Sequence, residues 1–274
     1  MTFAPVLPGT GYAGWTFLQR TKAAQTATFN KSPELARDEA YFREKIKSVK
    51  TADDLVADRR LLKVALGAYG LEADIDSKAF IRKVLSDGTL KEDALSGRLA
   101  DKQYEKFSAA FGFGDFSVAN TQLSDFPDKI INLYRARSFE VAVGTQNNDF
   151  RLSLSAEREL AELSANTTSS DETKWLKILG SAPLRSMFQK ALGLSSSISS
   201  IDLDKQVEAY KAQADKVFGS DTVSQFTDTA KVDTLVRRFL VRSEAESLGT
   251  GAGSGALALQ MLQQTSAFLR ANRA

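Results

Sequence analysis

Chemistry at neutral pH begins with side chains that exchange a proton, attack an electrophile or hold a metal. Two of the commonest are missing here, because the chain contains neither histidine nor cysteine. That removes the usual general base, the Ser-His and Cys-His nucleophile pairs, thiolate chemistry and the most frequent ligands of zinc and copper. No lysine has a serine three residues before it, so the helical Ser-x-x-Lys arrangement is also absent. Asp54 and Asp58 stand four apart on one predicted helix face, a spacing that suits a hard cation or a shared proton. Ion pairing with Arg59 and Arg60 and helix N-terminal charge explain the same cluster more simply. Asp74-Ile-Asp76 and Asp202-Leu-Asp204 lack the central glycine and terminal glutamate of a calcium loop and read as helix caps. Gly9-Thr-Gly11-Tyr-Ala-Gly14 satisfies G-x-G-x-x-G, but Pro5 and Pro8 occupy the place of the required strand and no βαβ pattern follows. We therefore assign no catalytic, cofactor-binding or metal-ligating residue, and expect no cofactor and no tightly bound transition metal. An enzyme would have to build its site from Asp, Glu, Lys, Arg and Tyr across several helices.

The elements that would position such groups are helices throughout. Ser32-Pro33 opens a helix to about Val49, and Thr51-Ala-Asp-Asp54 fits a capping box ahead of a continuous helix ending at Gly70. Asp76 or Ser77 opens the next, closed by Gly88, and Tyr104, Phe107 and Phe111 continue the helical spacing to Gly112. A long helix starts near Asp128, the polar run at 164–171 divides two helical stretches, and Pro183 starts a helix that Gly193 ends. Leu203, Val207, Tyr210, Ala214 and Val217 give the cleanest apolar stripe, and Val232 to Leu240 one more. Only Phe139–Val143 offers a candidate strand, and it has no hairpin turns around it. The expected fold is all-α and multi-helical.

LLKVALGAYGL at 61–71 aligns with LRSMFQKALGL at 184–194, which suggests two tandem copies of one helical unit. The expected organisation is a lead-in and helix over 1–29, unit one over 30–118, a divergent unit two over 128–247, and a glycine-rich linker with a tail helix over 248–274. Trp15, Phe17 and Leu18 near the N-terminus, and Leu257, Met261, Leu262 and Phe268 in the tail, are the candidate partner-binding residues. The aromatic run at 107–116 is expected to be core.

The 274 residues are 43% hydrophobic with 17 Phe, enough to fill a substantial core. Thirty-six basic against 34 acidic residues leave +2, too even for the field that nonspecific nucleic-acid binding requires, so no nucleic-acid partner is expected. Arg59-Arg60 and Arg237-Arg238 with Arg242 read as solvated helix faces. No stretch has the length and apolarity of a membrane span, and the start lacks the pattern of a cleaved secretory signal.

YAGWTFLQRT at 12–21, DLVADRRLLKVALGAYGLEADI at 54–75, AFIRKVLSDGT at 79–89 and RLADKQYEKFSAAFGF at 98–113 resemble a bacterial domain-of-unknown-function family encoded among flagellar genes. Some members are labelled flagellar basal-body rod protein, although the β-rich centre usual in rod proteins has no counterpart here. The resemblance implies a non-enzymatic interaction or structural accessory role in flagellar assembly, with a protein partner that is a flagellar component. It implies a cytoplasmic location, or export to the basal body without a cleaved signal. It carries no catalytic residues over. Self-association through the tail is a further expectation.

Overall fold

The computed structural model describes residues 3–250, and side-chain burial for 3–247. The tail expected as a partner-binding helix, with Leu257, Met261, Leu262 and Phe268, lies outside the described residues. Thirteen α-helices and several short 3-10 turns account for the regular structure, with no strand among the described residues. The helices are α1 (Gly11–Phe29), α2 (Pro33–Lys45), α3 (Ala52–Ala57), α4 (Arg59–Tyr69), α5 (Lys78–Asp87), α6 (Leu95–Arg98) and α7 (Gln103–Phe111). They continue with α8 (Phe126–Gly144), α9 (Asn148–Ala165), α10 (Asp171–Gly180), α11 (Ala182–Leu192), α12 (Leu203–Phe218) and α13 (Thr229–Thr250). The all-α expectation is met. Phe139–Val143 lies inside α8, and α13 runs two residues into the glycine segment read as a linker.

The single helix expected over 52–69 is two. Thr51 and Asp54 form the capping box of α3, and Asp58 then leaves helical geometry and accepts from the backbone N–H of Arg60 and Leu61, starting α4 anew. The pair of carboxylates expected on one face thus serves two separate helix starts: Asp54 accepts from the Lys50 and Thr51 N–H groups at 3.0 Å, and Asp58 from those of Arg60 and Leu61 and from the Tyr41 hydroxyl. The other carboxylate reading also changes. Asp202 sits at the N-cap of α12 without a side-chain cap bond and pairs with Lys205 at 3.5 Å, while Asp76 pairs with Arg59 and Asp74 accepts from the Tyr104 hydroxyl.

α4 and α11, which carry the two aligned segments, end alike. Gly70 has φ 73° and ψ 29°, Gly193 φ 73° and ψ 31°. Past each glycine the chain folds back, Leu71 N–H to Leu66 C=O at 3.0 Å and Leu194 N–H to Gln189 C=O at 2.9 Å. A left-handed residue is needed to make that bond, and glycine adopts it without a Cβ penalty. The surroundings run in parallel as well. α4 packs along α8 and against α2, and α11 along α13 and against α9; α3 touches α4 and α5 as α10 touches α11 and α12. Between α5 and α8 stand α6 and α7, and between α12 and α13 only the short 3-10 turn Val223–Thr227. α8 meets α9, and α1 closes the molecule against α13.

One continuous apolar core runs through both halves from Trp15 to Leu240. Phe107, Phe111 and Phe126 stack edge-on at about 5.1 Å in the first half, and Trp175, Phe188 and Phe226 at 5.6 and 5.3 Å in the second. Each such ring contributes about 1.5–3 kcal/mol by burial, so these clusters anchor the helices that frame the interior. The Trp175 indole also donates to the Asp221 carbonyl at 2.8 Å, which satisfies its one polar atom.

Candidate functional site

Two features stand out where the halves meet the N-terminal segment: a buried charge cluster and an apolar groove. The cluster is made by α8, α9 and the turn into α11. Glu140 and Glu159 are 6% and 5% exposed. Arg158 grips Glu140 with two bonds, Nε at 2.8 Å and Nη2 at 3.1 Å. Glu159 accepts from the hydroxyls of Ser155 at 3.1 Å and Ser181 at 3.0 Å, and lies 3.6 Å from both Arg137 and Arg158. Arg137 is the poorly served member. Its side chain is 14% exposed and its buried Nε has no acceptor. Burial, then repulsion from Arg158, pull its pKa below the usual arginine value against the attraction of Glu140, Glu159 and Glu72.

A second set of pairs ties α2 to α4 and α8. Arg135 makes a two-pronged contact with Glu39, and Asp38 receives Lys63 at 2.8 Å and the Tyr134 hydroxyl at 3.2 Å. Burial pushes the Tyr134 phenol up to about 12, with Lys63 opposing and Asp38 adding to the rise. Burial works against the Lys63 ammonium, but its bonds to Asp38 and Glu34 win and raise its pKa. Other carboxyl and phenol groups are likewise shifted away from pH 7. Asp115, where burial alone acts upward, is held below its ordinary value by Thr89 and the Leu90 N–H, and burial with Asp74 raises Tyr104. Groups shifted away from neutrality hold helices together and are poor proton carriers at pH 7. Among the described residues no group of three or more carboxylates is placed to hold a metal.

The groove, about 470 Å³, opens between α2, α4 and α8 under the extended segment that precedes α1. Phe29, Leu35, Tyr134, Val141 and Ala142 line it, with Phe3, Ala4 and Pro5 along one wall. Two amides position that wall. Gln25, 7% exposed, accepts from the Val6 N–H at 2.7 Å and donates to the Val6 carbonyl at 3.1 Å, and Gln146 donates to the Pro5 carbonyl at 2.7 Å. Val141 faces solvent at 44% exposure although its α8 neighbours Phe139 and Val143 are buried.

The residues singled out in the sequence fall unevenly. Trp15 and Leu18 are buried at 1% and 0%, Trp15 against Phe150 at 5.9 Å, so neither offers a docking surface; Phe17, at 36%, reaches solvent. The G-x-G-x-x-G glycines open α1, where the Glu244 carboxylate of α13 packs against Gly11 and offsets the helix dipole. Arg60 lies over the Tyr41 ring at 4.0 Å and Arg237 over Tyr12 at 5.3 Å, and Arg238 donates to the Ala191 carbonyl at 3.0 Å. Within the aromatic run, Phe107 and Phe111 are core and Phe116 is 54% exposed. Arg137, Glu140, Arg158, Glu159, Gln25 and Gln146 escaped the sequence reading. A signal existed for Arg137, which sits three after buried Tyr134 and four before exposed Val141, where α8 turns from core to groove.

Residues 68–232 match the family described as "Protein of unknown function (DUF1217)". The chain belongs to that family. A DUF1217 assignment states a relationship and no activity. A crystal structure of a protein from Agrobacterium tumefaciens is similar at 27% identity and a TM-score of 0.71, over 89% of this chain and 99% of that one. No curated protein matches the chain. Among the described residues of this DUF1217 chain no helix is long and apolar enough to cross a membrane.

Proposed function

We propose that this DUF1217 chain is a non-enzymatic helical interaction protein, a structural accessory of bacterial flagellar assembly. The flagellar half of the reading rests on the resemblance of residues 12–113 to proteins encoded beside flagellar genes. The interaction half rests chiefly on one observation: an apolar groove of about 470 Å³ bordered by solvent-facing Val141. A soluble surface exposes such concave apolar area where something covers it. Glu34, Asp38 and Lys63 beside the groove are tied in ion pairs, as are Glu39 and Arg135, which suits a rigid scaffold better than proton transfer. Deletion of the gene in a motile host tests the reading. The expected result is normal growth with loss of swimming, restored by the wild-type chain; unimpaired swimming overturns it.

The two-unit organisation is part of the proposal, with bounds moved from 30–118 and 128–247 to 33–144 and 148–250, so that α8 closes the first unit instead of opening the second, and α13 closes the second. Its support is a shared register. Asp58 and Ser181 cap α4 and α11, Gly70 and Gly193 end them, and an arginine from the packed helix, Arg137 or Arg242, lies against each glycine. Tyr134 of α8 packs on Gly67 while Lys190 lies over the Phe239 ring of α13, again the same two positions.

A further inference from the structure

We propose that the groove beside Val141 is the docking site of this chain's own C-terminal tail, residues 251–274, bound in cis. The inference needs no flagellar role, and a tail bound in cis occupies the groove that the interaction reading leaves to a partner, which would then have to displace it. The described chain ends at Thr250 on α13, and α13 runs beside the start of α1, where Glu244 packs on Gly11 and the Tyr12 hydroxyl donates to Asp233 at 2.9 Å. From Gly11 the preceding segment leads into the groove, with Val6 on Gln25 and Pro5 on Gln146. The tail therefore departs from the region where that wall begins.

Length and chemistry agree with this occupant. The five residues Gly251–Gly255 reach about 17 Å when extended, and 256–269 would span about 21 Å as a helix. The wall from Thr10 to Phe3 is at most about 24 Å long, so the tail reaches the groove with residues to spare. Leu257, Met261, Leu262 and Phe268 recur at helical spacing, and a lone helix of that length is marginal in water, which favours a packed surface. The only side-chain charges after Glu246 are Arg270 and Arg273; the groove lining carries Glu34 and Glu72 against Lys63 and Arg137, with Glu34 paired to Lys63 at 3.1 Å, so the apolar stripe rather than charge carries the match.

Absence of cysteine gives a clean test in the full chain. Val141→Cys is combined in turn with Leu257→Cys, Met261→Cys or Phe268→Cys, and disulfide formation is followed on non-reducing gels at several protein concentrations. The control carries Leu90→Cys, a 73% exposed site outside the groove, with the same tail cysteines. A tethered docked segment has a millimolar effective concentration, so at least one groove pair should close within the monomer about ten-fold faster than its control, independent of dilution. Equal rates, or no closure, overturn the proposal. Disulfide-linked dimers as the main product also overturn it, since the tail would then belong to a second copy.

Discussion

The same device occurs twice in this molecule and meets two environments. Arg137 on α8 lies against Gly70 at the end of α4, and Arg242 on α13 against Gly193 at the end of α11. Each guanidinium complements the negative end of a helix. Arg242 is exposed, whereas Arg137 is covered by α9 and the turn into α11 and has become part of a buried charge cluster. An arginine that serves as a surface cap in one place is thus a desolvated charge in the other, and only the second demands acids around it. The largest expected difference follows. Glu159→Leu strips Arg137 of its 3.6 Å partner and should destabilise the chain by about 3–5 kcal/mol in urea melts. Adding Arg137→Met should recover a large part of that loss, because the stranded charge goes with it. Arg242→Met, on the open side, should stay within about 0.5 kcal/mol of wild type. A double variant no more stable than Glu159→Leu alone would show that Glu159 acts mainly through Ser155 and Ser181.

The glycines sharpen the comparison at smaller magnitude. An alanine Cβ at Gly70 would lie 2.9 Å from Arg137 Nη1, and at Gly193 2.7 Å from Arg242 Nη1. Both substitutions carry the left-handed penalty of about 1–2 kcal/mol. Arg242 is free to swing into solvent, but Arg137 is confined between Gly70 and Glu159. Gly70→Ala should therefore lower stability by about 1 kcal/mol more than Gly193→Ala. Equal losses would mean that the buried guanidinium yields as easily as the exposed one.

Helix positions were readable in the sequence because their punctuation is local. Gly70, Gly193 and Gly219 announce left-handed ends, and Ser32-Pro33, Thr51 and Pro183 announce starts. The break at Asp58 is not legible, because an aspartate inside a helical pattern reads as a surface charge until its two backbone donors are seen. Trp15 and Leu18 read as docking candidates for the converse reason: nothing local says that α9 covers α1 through Phe150. The groove and the charge cluster are long-range products. Glu159 and Arg137 lie on different helices, and Gln25 meets Val6 only because the chain before α1 folds back along it, so spacing within any one segment carries no trace of either.

The smallest expected effect separates the two N-terminal caps. Asp58 starts α4 with a carboxylate, and Ser181 starts α11 with a hydroxyl. Burial alone would raise the Asp58 pKa, but the Tyr41 hydroxyl at 2.7 Å and the N–H groups of Leu61 and Arg60 outweigh it and hold the carboxyl below its usual value. A folded-state pKa below the unfolded one means that the charged form stabilises the fold at pH above about 4, and that this contribution fades as pH falls through the folded pKa. Asn keeps an acceptor for the cap but not the charge. Asp58→Asn should therefore lower stability by about 0.5–1 kcal/mol at pH 7, and the gap to wild type should narrow steadily as pH is taken from 5 towards 3. Urea melts of both chains across that range decide it. A gap of constant size would assign the cap to geometry alone and make the carboxylate of α4 equivalent to the hydroxyl of α11.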